Sequence, residues 1–346
     1  MKEVLLGRTP PELKELALAA GLPAFAGKQL ARWMYVRRVR TFDEMTDISK
    51  AGREALKERF DLGITPPAEF AESVDGTRKY LFPVTCPVGG RSEDSAIEAV
   101  VIPDADRKTL CVSSQAGCKM GCTFCMTGRQ GFHGNLSARE IIAQFMDVDE
   151  AEELTNAVFM GMGEPLDNWD NVKSAIEILT SEWGFGWSPK RITLSTIGDL
   201  ATLKDFLDST RCHLAVSLHN PFHEERQKLM PVENRYPLSE VLSLIRQYDF
   251  TGQRRVTFEY IMFAGVNDTK RHADALARLL SGLECRVNLI RFHKIPDSPL
   301  ASGSEQMIEA FQARLGAAGV TATVRASRGE DIMAACGLLA GKNSKN

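Results

Sequence analysis

Gly117-Cys118-Lys119-Met120-Gly121-Cys122-Thr123-Phe124-Cys125-Met126-Thr127-Gly128 places three thiols at the spacing C-x3-C-x2-C. Three soft ligands this close together suit a metal centre that something else completes. Structural zinc takes four protein ligands, commonly as two C-x2-C pairs, which this stretch does not offer. A cubane iron-sulfur cluster is usually held by four cysteines, so three leave one iron without a protein ligand and open to chemistry. Gly117 and Gly121 let the backbone fold round a bulky inorganic core, and Phe124, between two of the thiols, is placed to shield it from water.

The chain around it is ordinary for a globular protein: 346 residues, 44% hydrophobic and 25% charged, enough for one large domain and a smaller one. No run approaches the ~20 apolar residues of a membrane span. Eight cysteines without an export signal at Met1 to Gly7 point to a reducing compartment, the cytoplasm, where thiols are ligands or catalysts rather than staples. A formal net charge of −3 excludes a protein that grips nucleic acid over its whole surface, so any RNA contact must be a local patch.

Residues 1–65 read as a small helical unit, with helices over Pro10 to Ala20, Gly27 to Arg38 and Ser49 to Phe60 and a capped turn at Thr41 to Met45. Lys28, Arg32, Arg37, Arg38 and Arg40, interleaved with Trp33 and Tyr35, form a basic strip fit for phosphates and a base. On composition alone a solvated helix face over a Trp33 core anchor is the favoured reading of the same residues. Residues 66–108 are a β-rich extension: a turn at Asp75-Gly76, a strand over Lys79 to Val84, a loop at Gly89-Gly90 and a strand over Ala96 to Ile102. Glu98 is the one acid within that last apolar strand, by default facing solvent.

From residue 109 to 340 strands and helices alternate. Apolar runs at Leu110-Val112, Ala157-Met160, Ile192-Leu194, Leu214-Leu218, Val256-Met262, Val287-Ile290 and Val320-Val324 are separated by helical stretches. That rhythm predicts an α/β fold with a parallel sheet closed or partly closed into a barrel, its chemistry at the carboxyl ends of the strands. Gly161 to Pro165, Ser195-Thr196, Ser217 to Asn220 and Arg291 to His293 fall at those ends and together describe a cofactor pocket. A short helix is expected after Ser327-Arg328-Gly329, with Cys336 at its end and by default a small apolar residue. Residues 341–346 are a polar tail.

The C-x3-C-x2-C stretch resembles the cluster motif of the radical S-adenosylmethionine (SAM) superfamily, in which SAM chelates the open iron of a [4Fe-4S] cluster. With Phe42-Asp43-Glu44-Met45-Thr46, Asp75 to Tyr80, Leu110 to Gln115, Gly161 to Pro165, Ser217-Leu218-His219 and Ala335-Cys336-Gly337 in one order, the chain resembles the RlmN family of radical SAM RNA methyltransferases over nearly its whole length. The resemblance implies a partial (βα)6-type barrel. It implies methylation at carbon 2 of one adenine in 23S ribosomal RNA, before full ribosome assembly, and of the adenine just 3' of the anticodon in transfer RNA. An electron donor such as flavodoxin or ferredoxin and a monomeric enzyme are part of the same expectation.

Carbon 2 of adenine is electron-poor and the SAM methyl is an electrophile, so direct polar transfer lacks a nucleophile; a thiolate supplies one. On the family pattern Cys336 takes a methyl from a first SAM, a second SAM provides the radical, Glu98 accepts the carbon 2 proton, and Cys111 resolves the adduct by forming a disulfide with Cys336. The cluster thiols are Cys118, Cys122 and Cys125. The SAM pocket is carried over to Gly163, Glu164, Ser195, Ser217, Leu218, His219 and His293, the last standing where the family pattern has asparagine. Two other readings stay open: a relative of the Cfr type, which modifies carbon 8 of the same adenine, and an RNA-binding protein with a structural zinc.

Overall fold

The structure, a computed structural model, describes residues 2–88, 91–252 and 254–340. The Gly89-Gly90 loop and the 341–346 tail therefore lie outside the described residues. Helix α1 (Pro10–Ala19) starts with two prolines, and the Glu12 carboxylate reaches back to the Thr9 N–H at 2.7 Å. Helix α2 (Ala26–Ala31) runs on into a single π-helical segment, Arg32–Val36, so the expected second helix is present but widens before Arg37. Helix α3 (Lys50–Arg59) is capped by Ser49, whose hydroxyl accepts from the Gly52 N–H at 3.1 Å.

The basic strip is only partly free. Arg38 donates to the Ala151 carbonyl at 2.6 Å and lies 4.7 Å over the Phe185 ring, while Arg40 donates to the Met146 carbonyl at 2.7 Å and pairs with Asp147. Tyr35 is buried, its hydroxyl on the Arg8 carbonyl at 2.7 Å and its ring 5.9 Å from Trp183. These groups dock the helical unit on the barrel, which corrects the expectation that they meet phosphates and a base. Lys28, Arg32 and Arg37 remain exposed.

One sheet organises the rest. Strands β1 (Glu69–Glu72), β2 (Arg78–Val88), β3 (Arg91–Asp104) and β4 (Arg107–Cys111) pair antiparallel in succession. β4 then starts a run in which each strand is parallel to the next: β5 (Asn156–Phe159), β6 (Ile192–Thr196), β7 (His213–Ser217), β8 (Val256–Met262), β9 (Cys285–Arg291) and β10 (Thr321–Val324). Along each strand successive side chains point to opposite faces of the sheet. Leu110, Ala157, Leu194, Leu214, Val256 and Val287 are fully or almost fully buried. Each such leucine or valine contributes about 1.5–3 kcal/mol of apolar burial. The alternate residues, Thr109, Val158, Thr193, His213, Thr257 and Asn288, line one interior space, so the sheet is curled into a partial barrel. β4 and β10 are its two lateral edges and do not pair with each other.

Helices cover the outside: α4 (Ala138–Met146), capped by Ser137 and Glu140, then α5 (Trp169–Thr180), α6 (Leu200–Ser209), α7 (Leu238–Ile245), α8 (Lys270–Leu280) and α9 (Glu305–Ala317). Among the described residues no helix is long and apolar enough to cross a membrane. The short helix expected after Gly329 is absent. Met333 has φ of 55°, and the Ala334 N–H turns back to the Gly329 carbonyl at 2.8 Å, so the segment is a string of turns.

Candidate active site

The thiol loop leaves a short antiparallel ribbon, Gln115–Gly117 against Phe132–Asn135. Gly117 sits at φ 72°, where a Cβ would stand 1.9 Å from the Gly131 carbonyl oxygen; a side chain there would push the loop off the ribbon. Cys118 donates its N–H to that same carbonyl at 2.8 Å. Burial pushes the Cys122 thiol well above its usual range, and the charges of Cys125 and Cys118 push the same way. Three half-buried thiols on one loop, with Cys118 and Cys122 both disfavoured as bare thiolates, suit a ligand set whose charge a metal centre would balance. Among the described residues no three His, Cys, Asp or Glu side chains converge tightly enough for a single ion. Three thiol donors on one loop, with no fourth cysteine in it, suit a cluster held on three sides better than a structural zinc, which takes four protein ligands.

Cys336 is brought to this loop by backbone contacts. The Met126 N–H donates to the Gly337 carbonyl at 2.9 Å and the Thr127 hydroxyl to the Leu339 carbonyl at 2.6 Å. Cys336 is exposed, and it lines a cavity of about 310 Å³ together with Cys111, Cys125, His293 and Arg325. Burial pushes the Cys111 thiol up to about 12; the Cys336 charge adds to this and Arg325 opposes it.

Glu98 is buried, contrary to the solvent-facing default. It is not on the cavity wall itself. It lies on the face of β3 that also carries Val100, which is registered against Cys111, and Ile102, which lines the cavity. Two residues of strand put it about 7 Å along from that register. Lys79 stands 3.0 Å from its carboxylate, and the Ala340 N–H donates to it at 2.8 Å. The acid thus sits under the exit of the Cys336 segment.

The other end of that segment is tied to the β-extension. The Asp75-Gly76 turn joins β1 to β2, and the Gly329 N–H donates to the Asp75 carboxylate at 3.0 Å, while Ser73 donates to Asp331 at 2.6 Å. Burial raises the Asp75 carboxyl, but hydrogen bonds from Thr77, Gly329 and Ser73 prevail and hold it at about 2. Asp75→Ala should therefore free the loop, costing roughly 1.5 kcal/mol, a tenfold loss of methyl transfer. Hydrogen exchange reads it directly: amides 327–337 should exchange faster, and unchanged protection at Gly329 would show that the turn does not hold the loop.

The residues carried over to the SAM pocket gather at the carboxyl ends of the strands. Gly163 has φ of 95° and a Cβ there would lie 2.4 Å from the Gln115 side chain, so backbone and ribbon touch. Glu164 is buried, accepting from the Thr196 hydroxyl at 2.6 Å, the Ile197 N–H at 3.0 Å and the Leu166 N–H at 3.2 Å. Burial still pushes its carboxyl up to about 7 against these bonds. Ser195 and Ser217 share the inner face with Thr193 and His213. Leu218 is buried, and the His219 ring accepts from the Ile261 N–H at 3.1 Å and packs edge-on against Phe124, 4.9 Å between centroids. Burial, with Arg226 adding, pulls that imidazole down to about 3, so it is neutral with its proton on Nε2. His293 is buried on the cavity wall, 3.5 Å from Glu330.

Two arginines without a sequence signal complete the site. Arg226 is buried, paired with Glu233, and donates to the Leu218 carbonyl at 2.9 Å and the Ser217 carbonyl at 2.7 Å, clamping that strand end. Arg325 lies between the thiols and the buried Glu259 carboxylate, 3.8 Å away, with Cys336 the largest influence on its charge.

Comparison with known proteins agrees with this geometry. The sequence model of the Radical SAM superfamily matches residues 112–277, and that of the ribosomal RNA large subunit methyltransferase N-terminal domain matches residues 4–62. The chain is 60% identical to a probable dual-specificity RNA methyltransferase RlmN of Porphyromonas gingivalis, over 98% of this chain and 94% of that protein. It is 42% identical to the dual-specificity RNA methyltransferase RlmN of Syntrophus aciditrophicus, over 96% of this chain and 94% of that protein. A crystal structure of a radical SAM methyltransferase from Sphaerobacter thermophilus superposes with a TM-score of 0.89 at 40% identity, covering 97% of this chain and 99% of that one. The chain belongs to the RlmN family of radical SAM RNA methyltransferases.

Proposed function

We propose that this enzyme methylates carbon 2 of adenine in 23S ribosomal RNA and in transfer RNA through an S-methylated Cys336. The observation that carries the reading is the convergence of Cys336, Cys111 and the cluster thiol Cys125 on one cavity. Cys118, Cys122 and Cys125 would hold a [4Fe-4S] cluster, and Glu164 with the Ser195, Ser217 to His219 and His293 positions would hold SAM. When bound, these groups supply a methyl cation equivalent from one SAM and a carbon radical from a second, on one-electron reduction by a donor of the flavodoxin or ferredoxin kind.

The chain's own residues do the rest. Cys336, exposed on its turn, is the methyl acceptor. Once its methylene carbon is bonded to adenine carbon 2 and the odd electron of the adduct has returned to the cluster, Glu98 accepts the proton from carbon 2. Cys111 then loses its proton and attacks the Cys336 sulfur, and the carbon–sulfur bond breaks with its electrons going to the methylene carbon and the base. The methylene carbon takes up a proton to become the methyl group, and a Cys111–Cys336 disulfide remains to be reduced by an external dithiol. At that stage the Cys336 sulfur is a neutral thioether, so the charge opposing ionisation of Cys111 is gone while Arg325 stays. Residues 1–65 form the RNA-contacting accessory unit, with Lys28, Arg32 and Arg37 outward. A monomer working in the cytoplasm fits this chemistry.

Nucleoside mass spectrometry of both RNAs after incubation with reconstituted enzyme, SAM and a reductant tests the reading. 2-Methyladenosine is expected; 8-methyladenosine would assign Cfr-type chemistry instead. Glu164 adds a pH signature. A carboxyl near 7 in the free site must lose its proton to accept from the SAM ammonium, so SAM affinity should rise about tenfold per unit from pH 5.5 to 7 and then level off. Calorimetry should detect proton release below pH 7, and Glu164→Gln should remove both the slope and the release.

A further inference from the structure

The opposite end of the barrel carries an unbalanced ring of charge. Arg107 at the start of β4, Lys190 and Arg191 ahead of β6, Arg255 ahead of β8 and Arg286 near the start of β9 line one open cavity of about 410 Å³. None of these five cations forms an ion pair among the described residues, in a chain whose net charge is −3. The carboxylate that also lines this cavity, Glu259, is buried at its depth, bonded to Asn288 at 2.8 Å and turned to Arg325, so it does not balance the rim. His213, among them, is held below its usual value by burial first and then by the charges of Arg255 and Lys190.

This cavity shares Thr109, Val158, Met160 and Arg325 with the one that holds Cys111 and Cys336. From β4 to β9 the sheet takes five strand steps of about 4.8 Å, an arc of roughly 24 Å along the curved rim. That is longer than one phosphate group and suits several successive phosphates of a strand.

We propose that this rim binds the backbone phosphates of the substrate RNA beside the target nucleotide while the target base occupies the thiol cavity. The inference rests on the RNA methyltransferase reading and names a second contact for its substrate, away from the helical unit. Filter binding of reconstituted enzyme to an anticodon stem-loop RNA, across a range of salt, tests it. Arg191→Glu with Arg255→Glu should weaken binding at least tenfold and lower the salt slope by about one to two. Lys270→Glu with Arg278→Glu, the same change in net charge on α8, should leave the slope intact. Both variants should keep the parent melting temperature, since all four side chains are exposed. Equal losses in the two variants, or unchanged binding in the first, would overturn the rim contact. So would displacement of the RNA by ADP or inorganic phosphate at similar concentrations, which would make the cavity a small-anion pocket. A parent enzyme that bound no RNA at all would instead sink the functional reading.

Discussion

Cys336→Ala should abolish methyl transfer to RNA, by at least about a thousandfold, while leaving iron content and reductive cleavage of SAM in place. The separation is geometric. What binds the Cys336 segment to the thiol loop is the pair of backbone acceptors at Gly337 and Leu339, which alanine keeps, together with the Thr127 hydroxyl. The substitution removes one exposed sulfur and no packing, so the fold should not register it. Substitution by another nucleophile is shut off as well. Cys111, the other non-cluster thiol on the cavity, is pushed up to about 12 and stays protonated at neutral pH. Iron analysis, chromatography of 5'-deoxyadenosine and mass spectrometry of the RNA measure the three quantities separately. Loss of iron would place Cys336 among the cluster ligands, and retained methylation would remove it from the reaction.

The parallel part of the fold was legible because short apolar runs recur between amphipathic helical stretches. Leu194 and Leu214 lie on the outer face, Thr193 and His213 on the inner, although the apolar run Leu214-Ala215-Val216 does not itself distinguish the two faces. The cluster loop was legible because its ligands are local. The meeting of Cys111 with Cys336 was not readable from periodicity, and only the family resemblance supplied it. They come from strand β4 and from beyond strand β10, the two lateral edges of the parallel run, and approach because the sheet curls.

Charge was the least legible property. Arg38 and Arg40 look identical in sequence to Arg32 and Arg37, yet the first two are spent on the Ala151 and Met146 carbonyls. Arg107, Arg191, Arg255 and Arg286 are scattered singly along the chain and become a group only where strand ends align. Arg325, just past the end of β10, and Glu259, within the apolar β8, come together only on the inner face of the barrel, which no local pattern shows. The missing helix before Cys336 has a similar cause: its residues favour helix, but Gly329, Gly337 and Leu339 are held by Asp75 and by the thiol loop, and those contacts require turns.

Cys111→Ala should leave the first half of the reaction running and stop the second. The radical carbon on Cys336 still reaches the base and Glu98 is still present, so the RNA becomes bonded to the protein. No neighbouring thiol then remains to break the carbon–sulfur bond, because Cys125, the other thiol on the cavity wall, is a cluster ligand in this reading. Trimming one half-buried cysteine to alanine costs about 1 kcal/mol and should not unfold the enzyme. In thiol-free buffer a denaturing gel should show a band shifted by the mass of the RNA, and nuclease digestion should leave a nucleotide on the peptide containing Cys336. Adding Cys336→Ala to the same chain should erase the band. Sustained turnover by the single variant, or an adduct on any other residue, would mean that the disulfide is not the step that frees the product. The exposed position of Cys336 would then have to admit an external thiol in the place assigned to Cys111.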